Sequence, residues 1–130
     1  MTDPLALYEK MKQSWLDGLT ELDEDLWADD VVVETPYSRS RIEGKATWLA
    51  HARKGRATMP PVRFDEVREI AMHETKDPEV IVVEYELTGT ALATGKRGTG
   101  RFVGVLRVRD GKIAHWREYQ DVVAMAETLS

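Results

Sequence analysis

Cysteine is absent from the chain, and this absence restricts the chemistry that the protein can perform. With zero cysteines among 130 residues, a disulfide framework, a thiolate zinc site and a cysteine nucleophile are excluded. A cysteine-free chain fits a reducing compartment, so we expect a cytoplasmic protein. Residues Met1 to Pro4 contain no basic region followed by an apolar stretch, so we expect no secretory signal there.

Long hydrophobic runs are also absent. Aliphatic stretches such as Val80 to Val83 and Val103 to Val108 are short, and charged residues interrupt the sequence around them. Because a helix needs about 20 apolar residues to cross a bilayer, we expect no membrane-spanning segment. A chain of 130 residues suits one hydrophobic core, so we expect a single domain over residues 1–130.

The chain lacks an excess of positive charge. It has 18 Lys and Arg against 23 Asp and Glu, which gives a net charge of −5 and works against a partner whose many phosphates must be neutralised. We therefore expect no nucleic-acid partner. Residues 41–63 contain six basic residues and one acidic residue. This local pattern suits either an anion site or, as we favour, a solvated helix face.

Helical patterns occupy the first half of the chain. The first helix is predicted from about Pro4 to Asp17, because apolar residues recur every three or four positions and Gly18 can end it. A short second helix is predicted from Thr20 through Trp27, on a weak capping pattern. A third helix is predicted from Gly44 to Lys54, with Gly55 as its stop.

The second half of the chain is dominated by strand patterns. Asp110-Gly111 predicts a tight hairpin, because both central positions of the favoured two-residue turn need positive φ. The stretch from Gly89 to Gly100 is predicted as a glycine-rich loop. The predicted strands are 31–34, 64–73, 80–88, 101–109 and 112–120. Helices followed by a run of antiparallel strands indicate an α+β fold, in which one curved sheet around helices leaves a pocket.

Glutamates at alternate strand positions are the strongest candidates for chemistry. If Glu84, Glu86 and Glu118 point inward, desolvation and mutual repulsion raise their pKa values, as acid–base catalysis near neutral pH requires. The alternative is that Glu84 and Glu86 face water and that the other face of their strand forms the core. That other face carries Val83, Tyr85 and Leu87. Alternation alone does not choose between the two arrangements.

Metal, nucleotide and serine-hydrolase chemistry find little support. His51, His73 and His115 share no helical or strand spacing for a common ligand set, so we expect no metal. The glycines at 95, 98 and 100 have no predicted strand-to-helix turn around them, which argues against a dinucleotide fingerprint. The serines lack a glycine-flanked elbow. We therefore expect a protein that acts without a cofactor.

Six short segments spread over the chain match, taken together, the sequence pattern of a known family. They are Ala28 to Val32, Ile42 to Lys45, Val82 to Thr90, Thr94 to Lys96, Asp110 to Ile113 and Trp116 to Asp121. Together they resemble the SnoaL-like branch of the nuclear-transport-factor-like superfamily, over nearly the whole chain. The resemblance is specific for fold and less so for activity, because this superfamily includes polyketide cyclases, isomerases, epoxide hydrolases, dehydratases and proteins with no known reaction.

The resemblance implies a particular architecture and assembly. It implies a cone-shaped α+β barrel, in which N-terminal helices pack in a strongly curved antiparallel sheet that encloses an apolar pocket. Such proteins usually dimerise through the outer face of the sheet, so we expect a homodimer. The face predicted to form the dimer carries Val83, Tyr85, Leu87, Val103, Val105, His115 and Tyr119.

The last strand also resembles the limonene epoxide hydrolases in its Trp-Arg-acid-Tyr segment. In that group, an acid at the Glu118 position and a second acid near Glu86 activate water across an arginine. The arginine position falls at or near Glu84, so the set is broken here and we expect no efficient hydrolase of this type. In the polyketide cyclases an aspartate acts as acid and base, a role that the resemblance assigns to Glu118 or Asp121.

Residues and resemblance together predict acid–base catalysis on a small hydrophobic molecule. We expect Glu118, Glu86, Glu84 and Asp121 to be catalytic. The residues predicted to bind substrate are Trp15, Glu34, Trp48, Phe102, Leu106 and Trp116. One alternative is a non-catalytic ligand-binding or accessory protein of the same fold. Another is a protein-interaction module, which is expected if tryptophan side chains fill the interior.

Overall fold

The computed structural model describes residues 3–18, 24–58 and 61–130. Its α-helices are α1 (Pro4–Leu16), α2 (Lys45–Thr58) and α3 (Val122–Leu129). Its strands are β1 (Trp27–Thr35), β2 (Ser40–Glu43), β3 (Val62–Glu74), β4 (Val80–Ala91), β5 (Arg97–Arg109) and β6 (Lys112–Tyr119). Short 3₁₀ turns lie at Glu24–Leu26 and Pro36–Ser38.

The six strands form one mixed sheet in the order β2-β1-β6-β5-β4-β3. Strands β1 and β6 pair in parallel, and the other neighbouring strands pair antiparallel. The predicted α+β architecture with a strongly curved sheet around helices is confirmed. The structure adds that the sheet is curled but open, since β2 and β3 form its two edges.

Helix α1 forms as its sequence predicts. The side chain of Asp3 caps the helix, because its Oδ1 accepts a hydrogen bond from the backbone N–H of Leu5 at 3.0 Å. Just beyond the helix, Gly18 has a φ of 76°, which glycine adopts without steric strain. One face of the helix is buried through Leu7, Tyr8 and Met11. This face anchors α1 against the sheet.

The hairpin between β5 and β6 is also confirmed. Asp110 has a φ of 51° and Gly111 a φ of 77°, as the two-residue turn requires. The turn pairs Arg109 with Lys112. A register shift between Arg107 and Val108 then places Leu106 opposite Trp116 and Gly104 opposite Glu118.

Two predicted helix boundaries are wrong or fall partly outside the described residues. Helix α2 continues through Gly55 to Thr58, so Gly55 does not end it. Of the predicted helix from Thr20 to Trp27, residues 20–23 lie outside the described residues. The next three residues form a single 3₁₀ turn, and Trp27 already begins β1. Strand β2 and helix α3 were not predicted from the sequence.

The predicted loop from Gly89 to Gly100 is much shorter in the structure. Strand β4 extends to Ala91 and β5 begins at Arg97. The glycines allow helix α3 to lie directly on β5, since a Cβ atom at Gly98 would be 1.9 Å from Oγ1 of Thr128. Glycine therefore marks close packing of a helix on a strand here, where the sequence pattern suggested a turn.

The two faces of the sheet differ in what covers them. We call inner the face that packs against the helices, which carries the buried side chains Ile81, Val83, Tyr85, Phe102, Leu106 and Trp116. Glu84 and Glu86 lie on the opposite, outer face with Val103 and Arg101, their partners in register. Of the predicted dimer surface, Val83, Tyr85 and Leu87 are thus misplaced, because they point inward. Val103, Val105, His115 and Tyr119 lie on the outer face.

Candidate functional site

Glu118 is the predicted catalytic residue that the fold places on the inner face. It lies on β6 opposite Gly104, two positions after Trp116, and so shares a face with that buried ring. Protein atoms surround its carboxyl group closely, yet the residue keeps part of its surface exposed to solvent. The carboxyl group is therefore largely shielded from water by protein atoms.

Two neutral side chains hold the Glu118 carboxyl group. The hydroxyl of Tyr85, on β4, donates a hydrogen bond to Oε2. The amide Nε2 of Gln120, which follows β6, donates to Oε1 at 2.9 Å. Both carboxyl oxygens are therefore oriented by donors that carry no charge.

The electrostatic environment favours the neutral form of Glu118. Burial raises the pKa of Glu118, and the hydrogen bonds from Tyr85 and Gln120 act in the opposite direction without cancelling the effect. Burial also raises the pKa of Tyr85 well above its ordinary value, and the negative charge of Glu118 adds to this rise. Tyr85 therefore stays a proton donor in its hydrogen bond, while Glu118 is the group that can change its protonation state.

Aromatic rings surround this pair. The Tyr85 ring stacks on Phe102 with centroids 5.7 Å apart and lies 5.6 Å from the indole of Trp15. Trp15 in turn lies 6.0 Å from Trp116. Leu106 is fully buried in the same cluster. Four of the residues predicted to bind substrate, Trp15, Phe102, Leu106 and Trp116, are thus brought together on the side of Glu118.

Tyr8 adds a second phenol to this interior. Its ring lies 6.2 Å from that of Tyr85, and the residue is completely buried. Among residues 3–18, 24–58 and 61–130, no group forms a hydrogen bond with its hydroxyl. Tyr8 is one of the residues that recur at three- or four-residue steps along α1, and such periodicity does not show what its hydroxyl contacts.

Glu84 and Glu86 do not belong to this site. Each lies on the outer face beside a basic side chain: Glu84 Oε2 is 2.6 Å from Nε2 of His73, and Glu86 accepts hydrogen bonds from Arg68 and Arg101. The hydrogen bond from Arg68 makes the largest contribution to lowering the pKa of Glu86. The prediction that these acids share a cavity with Glu118 is therefore wrong, and the alternative, in which Val83, Tyr85 and Leu87 form the core, is correct.

Asp121 has a structural role in place of the predicted catalytic one. Its Oδ1 accepts from the backbone N–H of Ala124 at 3.0 Å, which caps α3, and its Oδ2 accepts from the N–H of Arg101 at 3.1 Å. These backbone hydrogen bonds lower the pKa of Asp121. Its carboxylate is therefore committed to attaching α3 to β5.

Glu34 and Trp48 also lie away from Glu118. Glu34 is on the outer face, where its Oε1 is 2.6 Å from Nε2 of His115 and 3.0 Å from Arg41. Trp48, on α2, packs edge-on against Trp27 at 5.3 Å between centroids. Its half-buried ring borders the core, but these contacts do not bring it to the carboxyl group. The assignment of Glu34 to the substrate site is corrected accordingly.

Neither a metal-ligand cluster nor a helix suited to crossing a membrane is present in residues 3–18, 24–58 and 61–130. In those three ranges, no group of three or more His, Asp or Glu side chains is placed to hold a metal ion. Within the same part of the chain, none of the helices combines the length and apolar character needed to cross a bilayer.

Comparison with known proteins identifies the family. A model of the SnoaL-like domain matches residues 8–116. The chain belongs to the SnoaL-like domain family. A sequence relative of this SnoaL-like chain, an uncharacterized PhzA/B-like protein of Pseudomonas aeruginosa, is 32% identical over 109 residues, which are 81% of this chain and 74% of that protein. Glu118 lies just beyond the residues 8–116 that the family model matches.

Solved structures share the fold of this SnoaL-like chain. A proposed polyketide cyclase from Pseudomonas putida has a TM-score of 0.80 and 18% identity, with all of both chains covered. A Δ5-3-ketosteroid isomerase from Mycobacterium sp. has a TM-score of 0.73 and 26% identity, covering 95% of this chain and 97% of that one. The nuclear-transport-factor-like fold expected from the sequence is thereby confirmed.

Proposed function

We propose that this SnoaL-like protein catalyses proton transfer on a small hydrophobic molecule, with Glu118 as the acid–base group and without a cofactor. The observation that carries the proposal is the environment of Glu118: a carboxyl group on the inner face, held by Tyr85 and Gln120 and bordered by aromatic rings. A structural acid is more commonly paired with a cation, as Glu86 is here.

The chemistry that suits this group is proton transfer at a carbon next to a carbonyl. In its carboxylate form, Glu118 takes the proton, the C–H bond breaks, and its electron pair moves into an enolate. The neutral acid then returns the proton to the same or another carbon. A carboxyl group whose pKa is raised toward neutrality is suited to both steps. Such a step is common to isomerisation and to ring closure by carbon acids.

The neighbouring rings supply the binding energy for an apolar substrate. Trp15, Phe102 and Trp116 offer flat apolar surfaces on the side of the carboxyl group, and contact with such surfaces favours a hydrophobic ring system. The likeness to a ketosteroid isomerase at 26% identity supports a cyclic ketone as the substrate class.

Proton exchange in heavy water provides a direct experiment. The probe is 2-tetralone, a bicyclic ketone, whose exchange of α-protons for deuterium is followed by proton NMR. We expect the wild type to accelerate exchange above the buffer rate, and Glu118→Gln to abolish the acceleration because the amide cannot accept the proton. Glu84→Gln, an isosteric change on the outer face, is the matched control and should leave the acceleration unchanged.

A non-catalytic ligand-binding protein is the second candidate. It is favoured by the fact that both Glu118 oxygens already accept hydrogen bonds, as in a carboxyl group that serves to order the interior. Saturable binding of 2-tetralone without accelerated exchange would support this candidate and reject catalysis. Exchange that persists in Glu118→Gln would reject Glu118 as the acid–base group.

We also propose that the protein is a homodimer through the outer face of the sheet. The proposal commits to a second copy of the chain as the partner. Val103 and Val105 lie on this face with their side chains half-buried, while the buried side chains of α1 and α2 belong to the core on the other side. A second copy would cover these valines and remove an apolar strip from water.

A further inference from the structure

The aromatic rings beside Glu118 are closed to solvent. Tyr85 has 0% of its surface exposed, and Phe102 and Trp116 have 5% each. A substrate that reaches the Glu118 carboxyl group must therefore displace part of the protein that covers these rings. The part that moves at the lowest cost is the one that the fewest buried side chains hold in place.

Helix α3 is the least firmly anchored of the three helices. Helix α1 is held by the buried side chains of Leu7, Tyr8 and Met11, and α2 by that of Leu49. Helix α3, which the structure describes in full, has eight residues and no buried side chain. Because apolar burial supplies much of the free energy that holds an element in place, α3 leaves the sheet at a lower cost than α1 or α2.

The two ends of α3 are attached unequally. At its start, Asp121 accepts hydrogen bonds from the backbone N–H groups of Ala124 and of Arg101 on β5. At its far end, Nζ of Lys96 lies 3.5 Å from Oγ of Ser130, which is longer than an ordinary hydrogen bond. Asp121 is therefore placed as a hinge, and the far end of the helix is the part that can swing.

The seat of α3 on β5 adjoins the rings. A Cβ atom at Gly100 would lie 3.2 Å from Cβ of Ala124 on the helix and 3.0 Å from Cε1 of Phe102. Phe102 stacks on Tyr85, whose hydroxyl donates a hydrogen bond to Glu118. Movement of the helix away from Gly100 therefore uncovers an edge of the Phe102 ring.

We propose that α3 is a lid, which swings about Asp121 and opens a path along Phe102 by which a small hydrophobic molecule reaches Glu118. The proposal rests on the proposed function, since the path leads to the same site. The lid is closed most of the time, and it opens while the sheet and α1 stay folded.

The reaction rate of an introduced thiol measures the opening without a ligand. Because the chain contains no cysteine, one introduced cysteine is the sole thiol in the protein. Ala124→Cys places it on the side of α3 that faces β5, and Ala126→Cys, on the exposed side, is the matched control. N-ethylmaleimide should modify Ala124→Cys at least about tenfold more slowly than Ala126→Cys, yet at least about tenfold faster than the protein unfolds.

Two results of this labelling would overturn the lid. If Ala124→Cys reacts only at the rate of global unfolding, with the same dependence on urea, α3 does not open by itself. If Ala124→Cys and Ala126→Cys react at the same rate, α3 is not seated on β5 and covers nothing.

A disulfide between α3 and β5 tests whether the opening admits a ligand. Gly100→Cys with Ala124→Cys places two Cβ atoms 3.2 Å apart, so a small shift reaches the disulfide range of about 3.5–4.5 Å. The oxidised protein should lose binding of 2-tetralone in ligand-observed NMR, and reduction should restore it. Thr88→Cys with Thr99→Cys is the matched control, because it joins β4 to β5 on the outer face and leaves α3 free. Unchanged binding to the oxidised α3 tether would overturn the path.

Gly98→Ala supplies the opposite change and needs no crosslink. A Cβ atom there would lie 1.9 Å from Oγ1 of Thr128, so the methyl group pushes the far end of α3 off its seat. Labelling of Ala124→Cys and association of 2-tetralone should both become faster. Gly55→Ala, whose Cβ atom would meet no atom of the described residues within 4 Å, is the control. Faster labelling without faster association would reject the path.

These outcomes separate the lid from the proposed function. If the tether blocks binding but Glu118→Gln leaves proton exchange unchanged, the lid stands and catalysis by Glu118 is rejected. If the oxidised tether accelerates exchange as the wild type does, the lid is rejected and catalysis by Glu118 stands. If the wild type binds no 2-tetralone, that ligand class is rejected, and the lid stands or falls on the labelling rates.

Discussion

The hydroxyl of Tyr85 on β4 donates a hydrogen bond to the carboxyl group of Glu118 on β6, across the strand that lies between them. The intervening strand β5 presents Gly104 opposite Glu118, so β5 places no side chain at that position. A phenol and a carboxyl group from non-adjacent strands thus form one unit on the inner face of the sheet.

The first prediction concerns Tyr85→Phe. This change removes a donor that lowers the pKa of Glu118, so the pKa of Glu118 should rise further. Carbon-detected NMR titration of the glutamate carboxyl groups measures the shift directly, with Glu86 in the same sample as an internal reference on the outer face. The proposed hydrogen-bonded unit would be refuted if the Glu118 titration were the same in the variant and the wild type.

The second prediction is that Glu118→Gln stabilises the protein more at pH 8 than at pH 4. The pKa of Glu118 is raised in the folded state, so the carboxyl group is neutral in both states at low pH and has little effect there. As the pH rises through the unfolded value, the unfolded chain ionises first and the free energy of unfolding falls. Each pKa unit of difference corresponds to about 1.4 kcal/mol. The amide removes this loss, and urea denaturation at the two pH values measures it.

Glu86→Gln is the matched control for this measurement, with the opposite sign. The pKa of Glu86 is lowered, mainly by the hydrogen bond from Arg68, so its ionised form stabilises the folded state above the unfolded pKa. Glu86→Gln should therefore destabilise the protein at pH 8, and the difference should vanish as the pH falls through the folded pKa. Equal responses of the two variants to pH would contradict the assignment of these acids to different faces.

The third prediction tests the structural role of Asp121. Asp121→Ala removes the cap of α3 and the acceptor for the N–H of Arg101, and should destabilise the protein by about 1–2 kcal/mol. Asp121→Asn keeps an acceptor oxygen at the cap, so it should retain most of the stability and the full rate of 2-tetralone exchange. A loss of exchange in a stably folded Asp121→Asn protein would restore the catalytic assignment of this residue.

The fourth prediction concerns assembly. Val105→Lys places a charge at the centre of the outer face and should convert the proposed dimer to a monomer in multi-angle light scattering at micromolar concentration. Leu92→Lys, at an exposed position in the turn after β4, is the control and should leave the dimer intact. A monomeric wild type would reject the proposed interface.

The local signals that the sequence carries were sufficient for α1 and for the last hairpin. Asp3 with Pro4 starts a helix through short-range capping, and Asp110-Gly111 adopts positive φ whatever the rest of the chain does. Such elements are determined by neighbours in sequence, and they were predicted almost to the residue.

The inward face of β4 was not predictable in the same way. Alternation separates Glu84 and Glu86 from Val83 and Tyr85, but it is symmetric with respect to the two sides of the sheet. Which side of β4 faces the core depends on the neighbouring strands. Arg68 on β3 and Arg101 on β5 lie directly opposite Glu86. These ion pairs satisfy Glu86 on the outer face, while Val83 and Tyr85 pack into the core on the other side. The ion pairs become visible only once the register is known, and the resemblance to epoxide hydrolases pointed the other way.

The role of Asp121 was missed for a related reason. Its cap belongs to a helix whose eight residues, Val122–Leu129, carry no fully buried side chain. The strand patterns end at Gln120 and this helix was not predicted, so the cap was not recognised, and the resemblance to the polyketide cyclases gave Asp121 a catalytic role.

Three glycines of β5 allow side chains from α3 and β6 to pack directly on the backbone of this strand. A Cβ atom would lie 1.9 Å from Thr128 at Gly98, 3.2 Å from Ala124 at Gly100 and 2.1 Å from the Trp116 ring at Gly104. The strand thus leaves room at these three positions for side chains of α3 and for the Trp116 ring of β6. A side chain at any of these glycines would therefore displace α3 or the Trp116 ring, so the seating of the C-terminal helix depends on bare backbone in β5.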